Sequence, residues 1–178
     1  VYKRQVCDGA FFRNQDLLVI GGGDSAVEEA VYLTQFAKSV IIVHRRDELR
    51  AQKILQDRAF ANEKIKFIWD SVVTEIKGTD IKVSSVLIEN VKTKEVSEHG
   101  FGGIFIYVGT NPVSGMVTDL GITDESGWIV TNDKMETSVK GIYAVGDVRQ
   151  KELRQITTAV GDGAIAGQAV YHYILENE

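Results

Sequence analysis

The sequence predicts an α/β fold: a doubly wound parallel sheet with an antiparallel three-strand β-meander, followed by a segment of different character. Three observations support this prediction. Short apolar runs alternate with helical apolar spacing over the first 69 residues, a glycine-rich turn follows the first run, and β-branched residues alternate with polar ones between positions 71 and 99. The chain has 178 residues, of which 44% are hydrophobic, so it is long enough to bury a core.

The first five predicted elements alternate strand and helix, with short turns between them. The first helix has apolar residues at helical spacing: Ala26, Ala30, Leu33 and Ala37. The elements are a strand at 17–20, a helix from 24, a strand at 39–43, a helix over 47–62 and a strand at 65–69. Because each helix lies between two apolar strands, we expect the strands to be parallel.

The pattern changes after position 70. Residues 71–99 predict three antiparallel strands without helices. The remaining predicted elements are an apolar strand at 103–109, strand-like stretches at 127–132 and 141–147, and one long helix from 154 to the C-terminus. The only proline, Pro112, lies where the character of the sequence changes, so we predict a domain boundary between residues 112 and 113.

Composition argues against several classes of function. The formal net charge is −5, so no positive field is expected to hold nucleic acid or an anionic membrane surface. No apolar run approaches the ~20 residues that a membrane span needs, and no metal site is predicted. The single cysteine, Cys7, cannot form an intramolecular disulfide, which favours a reducing compartment, so we expect a cytoplasmic location.

The glycine-rich turn predicts a dinucleotide site. Gly21, Gly23 and Ala26 have the G-x-G-x-x-A spacing between a strand and a helix, which gives a Rossmann-like unit. The expected binding residues are Gly21, Gly22, Gly23, Asp24 and Ser25. A tight structural turn is the alternative. The same spacing in GDGAIA, at 161–166, lies inside a helical pattern, where we expect it to allow close helix packing.

Basic residues at the end of the second strand indicate which dinucleotide is bound. A site for NAD has an acid there, whereas this sequence has HRRDELR, with His44, Arg45, Arg46 and Arg50. Guanidinium groups bind a 2′-phosphate through charge-assisted, bidentate hydrogen bonds. The pattern therefore predicts NADP(H). A solvated basic start of a helix is the alternative, although helix N-termini favour acids.

A second polar cluster follows the stretch GIYAVGD at 141–147. Asp147 ends a strand-like run, where a carboxylate can accept a hydrogen bond from a polyol hydroxyl. The predicted helix start at Arg154, Gln155 and Ile156 can point backbone amides at a polar ring edge. Taken alone, GIYAVGD fits any strand followed by a turn.

Six motifs, taken together, carry a family resemblance. In order they are VCDGAFF, VIGGGDSAVEEA, HRRDELRA, YVGTNP, GIYAVGDVR and LRQITTAVGDGA. From Val6 onward the chain resembles the bacterial-type, low-molecular-weight thioredoxin reductases, which are NADPH-dependent flavoenzymes. The resemblance implies an NADPH domain inserted into a FAD domain. It assigns 6–112 to the NADPH domain and 113–178 to the C-terminal segment of the FAD/NAD(P)-binding flavoprotein domain. It also implies a homodimer.

The resemblance assigns FAD contacts to the second cluster. The residues concerned are Gly146, Asp147, Val148, Arg154, Gln155 and Ile156. The first FAD segment, with its own glycine fingerprint, is expected to lie outside this sequence, because only one such fingerprint here follows a strand.

The resemblance also gives Cys7 and Asp8 roles in catalysis. The family has a C-A-x-C-D-G motif, and Cys7-Asp8-Gly9 matches its second half. Cys7 would be the cysteine nearer the flavin, and Asp8 the general acid/base that serves the dithiol. Position 4, where the partner cysteine would stand, is Arg4. It lies in VYKRQ, residues 1–5, which we expect to be an adapter-derived scar on a truncated chain.

The resemblance implies thioredoxin-disulfide reductase activity, with electrons passing from NADPH through FAD and a dithiol to thioredoxin. We expect this chain alone to be inactive. A ferredoxin–NADP reductase-like flavoprotein is one alternative, which Cys7-Asp8-Gly9 disfavours. A non-catalytic NADP(H)-binding module is another. The peroxiredoxin-linked relatives usually have an acid at the end of the second strand, so the arginines disfavour them.

Overall fold

The computed structural model describes residues 6–177, and its backbone divides into two compact units, Val1–Gly109 and Thr110–Glu178. The predicted boundary at 112/113, and the cofactor assigned to each side of it, stay predictions. Residues 1–5, including Arg4 and the expected scar, lie outside the described residues.

The first unit contains a four-stranded parallel sheet. Its strands are β1 (Asp16–Ile20), β2 (Ser39–Val43), β3 (Ile65–Ile68) and β7 (Gly103–Ile106), in the order β3-β2-β1-β7. All three pairings are parallel. Two helices, α1 (Asp24–Leu33) and α2 (Lys53–Phe60), connect β1 to β2 and β2 to β3. The predicted α/β fold class is confirmed.

The antiparallel meander covers the other face of the parallel sheet. It consists of β4 (Ser71–Gly78), β5 (Val83–Asn90) and β6 (Val96–Gly100) in sequential order. Successive residues of a strand point to opposite faces. Accordingly, Leu17 and Val19 pack in the core that contains α1, whereas Leu18 packs with Val86 and Ile88 of the meander.

The second predicted helix begins later than expected. Residues 47–52 are not helical, and α2 begins at Lys53. The backbone N–H of Arg50 donates to the Gly22 carbonyl at 2.7 Å, and that of Gln52 donates to the Asp24 carboxylate at 2.7 Å. In a helix over 47–52 these N–H groups would bond to carbonyls four residues earlier, so the long-range hydrogen bonds compete with helix formation. The prediction of a helix over 47–52 was therefore wrong.

In the second unit, the two stretches predicted as strands form isolated bridges only. Ile129 bridges to Thr123 and Arg149, and Glu136 bridges to Tyr143. Within the described residues no neighbouring strand extends these bridges into a ladder, so the strand predictions at 127–132 and 141–147 were wrong. The small core of this unit centres on Ile122, Ile129 and Ala144.

The long C-terminal helix, α3, spans Ile156–Asn177. Only Asp162 and Ala166 of its residues are buried. A Cβ on Gly161, Gly163 or Gly167 would have nothing within 4 Å, so the glycines of GDGAIA do not allow close helix packing within the described chain.

No helix between residues 6 and 177 is both long and apolar enough to cross a membrane. In the same range, no cluster of three or more His, Cys, Asp or Glu could hold a metal ion.

Candidate functional site

The turn after β1 requires glycine at its first two positions. Gly21 has φ +143°, and a Cβ there would collide with the Tyr107 carbonyl oxygen. A Cβ on Gly22 would come 2.5 Å from the imidazole of His44. A Cβ on Gly23 would meet nothing within 4 Å, so this position opens onto free space at the start of α1. The turn therefore leaves room for a ligand beside the helix N-terminus, where Asp24 and Ser25 are exposed.

His44 is buried directly against the glycine turn, at Gly22. The residue is 5% exposed, and its Nε2 has no hydrogen-bond partner in the described part of the chain. Burial lowers the pKa of His44, and the positive charges of Arg50, Arg45 and Arg46 lower it further. The imidazole is consequently neutral at pH 7. A buried nitrogen without a partner marks a place where a ligand atom would relieve an energetic cost.

A cleft of about 330 Å³ lies between the turn and the end of β2. The part of its lining that bears on a ligand consists of Gly21, Gly22, His44, Arg45, Arg50 and Tyr107. The carboxyl ends of β1 and β2 meet here, which is the edge at which parallel α/β sheets bind ligands. The structure thus brings together the predicted glycine and arginine motifs.

The three arginines of the HRRDELR motif are exposed. Among residues 6–177, no carboxylate forms an ion pair with Arg45, Arg46 or Arg50. The neighbouring acid, Asp47, is 3.4 Å from the Lys92 ammonium group. Arg45 and Arg50 therefore line the cleft without a carboxylate paired to either of them in the described part of the chain, and Arg46 is the residue after Arg45 on the same segment. This arrangement suits a dianionic phosphate.

The motif with Cys7 and Asp8 lies in a short 3₁₀ helix, Val6–Phe12. The Cys7 side chain is outside the described part of the structure, and Asp8 is half-buried. Gly9 is buried, and a Cβ there would come 2.8 Å from the Leu33 side chain of α1. Glycine at this position therefore serves close packing against α1.

The second polar cluster is organised by a residue that sequence reasoning missed. The turn Gly146–Val148 begins at Gly146 with φ +77°, and its backbone N–H donates to Asp162 Oδ2 at 2.9 Å. Asp162 also pairs with Arg149 at 3.0 Å and with Lys151 at 2.7 Å. In the sequence, Asp162 is a single acidic residue among small residues of a predicted helix. Nothing in that pattern indicates that it pairs with residues 146–151.

The remaining residues predicted for this cluster surround the turn. Asp147 is exposed, and Val148 is half-buried in the core of the second unit. Arg154 stacks 3.7 Å from the Trp128 ring centroid and donates from Nε to the Asp147 carbonyl at 3.2 Å. The backbone N–H of Gln155 donates to Thr158 Oγ1 at 3.1 Å, so it is already satisfied. Ile156, the first residue of α3, is 70% exposed.

The parallel sheet, with a glycine turn and a basic segment at the carboxyl ends of its strands, defines an α/β protein whose fold is of the FAD/NAD(P)-binding type, with a second, smaller unit. The family described as "Pyridine nucleotide-disulphide oxidoreductase" matches residues 3–163, which is most of the chain. The chain therefore belongs to the pyridine nucleotide-disulphide oxidoreductase family.

Several individual proteins are similar to this chain. The thioredoxin reductase of Bacillus subtilis is 58% identical over 171 residues, which cover 96% of this chain and 54% of that protein. The thioredoxin reductase of Listeria innocua is 56% identical with the same coverage. The crystal structure of thioredoxin reductase from Streptococcus pyogenes matches with a TM-score of 0.90 and 74% identity, covering 98% of this chain and 57% of that one. The chain thus spans about half the length of the curated relatives it matches.

Proposed function

We propose that this chain is the NADPH-binding domain and the C-terminal FAD segment of a thioredoxin-disulfide reductase. The complete enzyme would pass two electrons from NADPH through FAD to its redox disulfide, and the dithiol so formed would reduce the disulfide of thioredoxin while it is reoxidised to the enzyme's disulfide. The single observation that carries the proposal is the arginine segment, for which residues 6–177 offer no acidic partner, beside a glycine turn at the carboxyl ends of β1 and β2. The similarity to thioredoxin reductases supports the same assignment.

The residues of the cleft fit NADPH. Arg45, Arg46 and Arg50 would bind the 2′-phosphate, and the turn at Gly22 and Gly23 would admit the pyrophosphate at the N-terminus of α1. His44, whose buried Nε2 has no partner in the described part of the chain, lines the same cleft. When bound, NADPH supplies a hydride. The chain's own residues bind the cofactor, orient it and exclude water from its buried side.

The second unit fits one part of a flavin site. Asp147 is exposed on a turn that Asp162 holds, and it would accept a hydrogen bond from a polyol hydroxyl of FAD. Large apolar side chains of α3 are exposed in this chain: Ile156, Val160, Ile165, Tyr171, Ile174 and Leu175. We propose that a further segment of the complete enzyme covers this helix and completes the FAD domain. FAD, when bound, transfers electrons between nicotinamide and sulfur.

Cys7 and Asp8 would carry the sulfur chemistry. In the complete enzyme Cys7 would form the redox disulfide with a cysteine three positions before it. Thiol–disulfide exchange needs a thiolate to attack and a leaving sulfur to be protonated, and the Asp8 carboxyl is the adjacent group that can hold that proton. A cytoplasmic homodimer that uses thioredoxin as its protein substrate belongs to the same proposal.

A chimaera tests this function. It joins residues 6–178 to the part of the Bacillus subtilis thioredoxin reductase that the chain does not match, so the relative's residues replace positions 1–5. We expect it to bind FAD and to reduce thioredoxin with NADPH, whereas the 178-residue chain alone reduces none. A chimaera that binds FAD and oxidises NADPH without reducing any thioredoxin disulfide would overturn the proposal.

A further inference from the structure

The segment that carries the three arginines is irregular, and it is tied to the glycine turn. Arg45, Arg46 and Arg50 lie between the end of β2 at Val43 and the start of α2 at Lys53. Long side chains on an irregular segment lose conformational entropy when they bind a ligand. The contacts that fix the backbone of this segment therefore determine how much of the phosphate-binding energy is realised.

Gln56 fixes part of the segment, because its Nε2 donates to the Leu49 and Ala51 carbonyls at 3.4 and 2.7 Å. Asp24 makes the side-chain contacts that connect the segment to the start of α1. Its Oδ1 accepts the backbone N–H of Gln52 at 2.7 Å, and its Oδ2 accepts Nε2 of the same residue at 3.2 Å. Two positions earlier, the N–H of Arg50 donates to the Gly22 carbonyl at 2.7 Å. These attachments set where the Arg50 backbone stands relative to the glycine turn.

The charge of Asp24 makes it an unsuitable ligand for the phosphates. An ionised carboxylate has acceptors only, and it repels a nearby phosphate dianion. An acid in the first turn of α1 does stabilise the helix, but that effect needs no contact with Gln52. The two hydrogen bonds to Gln52 therefore point to a role that acts through the arginine segment.

We propose that Asp24 is a positioning residue that holds the arginine segment at the glycine turn and thereby sets the preference for NADPH over NADH. This inference rests on the proposed NADPH binding, and it replaces the direct cofactor contact expected for Asp24 from the sequence. Asp24 acts through Gln52, while Arg45, Arg46 and Arg50 touch the cofactor.

Calorimetric titration of the 178-residue chain with NADPH and with NADH tests the inference. We expect Asp24→Ala to raise the Kd for NADPH about tenfold and the Kd for NADH less than about twofold. Asp24→Asn keeps an acceptor for the Gln52 N–H and is expected to restore most of the affinity. Gln52→Ala removes only the Nε2 contact, and we expect it to change the NADPH affinity in the same direction by about two- to threefold. Gln52→Ala also tests the inference if Asp24→Ala does not fold.

Glu28→Ala is the matched control, because it removes an exposed carboxylate one turn further along α1 without touching the arginine segment. If Asp24 acts only by its charge, Asp24→Ala and Asp24→Asn will both bind NADPH more tightly than wild type, which overturns the inference. An equal loss of affinity for both cofactors also overturns it, because that result indicates general damage to the turn. Equal affinities in the wild-type chain contradict the proposed NADPH preference itself.

Discussion

Asp162, in α3, accepts a hydrogen bond from the backbone N–H of Gly146 at 2.9 Å, although the two residues are sixteen positions apart in the sequence. The same carboxylate forms ion pairs with Arg149 and Lys151. Burial alone would raise the pKa of Asp162, but the hydrogen bonds from Lys151, Arg149 and Gly146 outweigh it and lower the pKa. One carboxylate thus fixes the glycine turn that carries Asp147 and connects it to α3.

Asp162→Ala is expected to destabilise the second unit by about 3 kcal/mol, because it leaves two largely buried cations without their partner. Denaturant unfolding of the chain measures this change. Asp119→Ala removes an exposed carboxylate from the same unit and is expected to change the stability by less than about 0.5 kcal/mol. Similar effects of the two substitutions would contradict the role given to Asp162.

Glu29 gives a prediction about pH. Burial, together with the negative charge of the neighbouring Glu28, raises its pKa to about 7. Because the pKa is higher in the folded than in the unfolded chain, ionisation of Glu29 costs stability as the pH rises from about 4.5 through 7. Glu29→Gln is therefore expected to raise the melting temperature more at pH 8.5 than at pH 5.5.

Thermal unfolding at the two pH values checks the Glu29 prediction. Glu63→Gln, which removes an exposed carboxylate after α2, serves as the control, and we expect a small shift that is similar at both values. A stabilisation by Glu29→Gln that is independent of pH would show that the carboxyl of Glu29 is not the group responsible.

The arginine motif predicts a selective loss of NADPH binding. Replacing Arg45, Arg46 and Arg50 with alanine removes the proposed 2′-phosphate contacts, each worth about 1.5–3 kcal/mol. We expect the Kd for NADPH to rise to that for NADH, and the Kd for NADH to stay within about twofold of wild type. Titration of each cofactor measures this. Arg58→Ala in α2 is the control, and an equal effect of Arg58→Ala would point to net charge instead of specific contacts.

Cys7 and Asp8 are tested in the chimaera. Cys7→Ser is expected to abolish thioredoxin reduction and to leave flavin reduction by NADPH intact, because hydride transfer precedes the sulfur chemistry. Asp8→Asn is expected to slow the oxidative half-reaction, in which the reduced flavin and the dithiol are reoxidised, by about 10²–10⁴ if proton transfer limits the rate. Stopped-flow measurement of both half-reactions separates these steps. Wild-type rates in both half-reactions of Asp8→Asn would show that Asp8 is only a turn residue.

The sequence allowed the fold class to be predicted because the apolar runs of the parallel sheet are local signals. β2, for example, spans Ser39–Val43, the range predicted from the apolar run at 40–43 and the serine before it. Local signals failed where distant groups compete for backbone donors. Residues 47–52 have helical periodicity, but Gly22 and Asp24 take the N–H groups of Arg50 and Gln52.

The strand predictions in the second unit failed for a related reason. A strand needs a neighbouring strand to extend its ladder. Within the described residues, Ile129 and Tyr143 form only isolated bridges, none of which continues into a ladder. Asp162 was missed because its partners, Gly146, Arg149 and Lys151, lie in a loop that folds back against α3. Contacts between a loop and a distant helix produce no periodic pattern in the sequence.

The most direct test of the central claim is the ratio of dissociation constants for NADH and NADPH, measured on the unmodified 178-residue chain at one fixed salt concentration. Two charge-assisted hydrogen bonds of about 1.5 kcal/mol each predict that NADPH binds about 100-fold more tightly. We therefore expect a ratio of about 100 or more. Equal dissociation constants, or tighter binding of NADH, would contradict the account, because the arginines beside the glycine turn would then bind no 2′-phosphate.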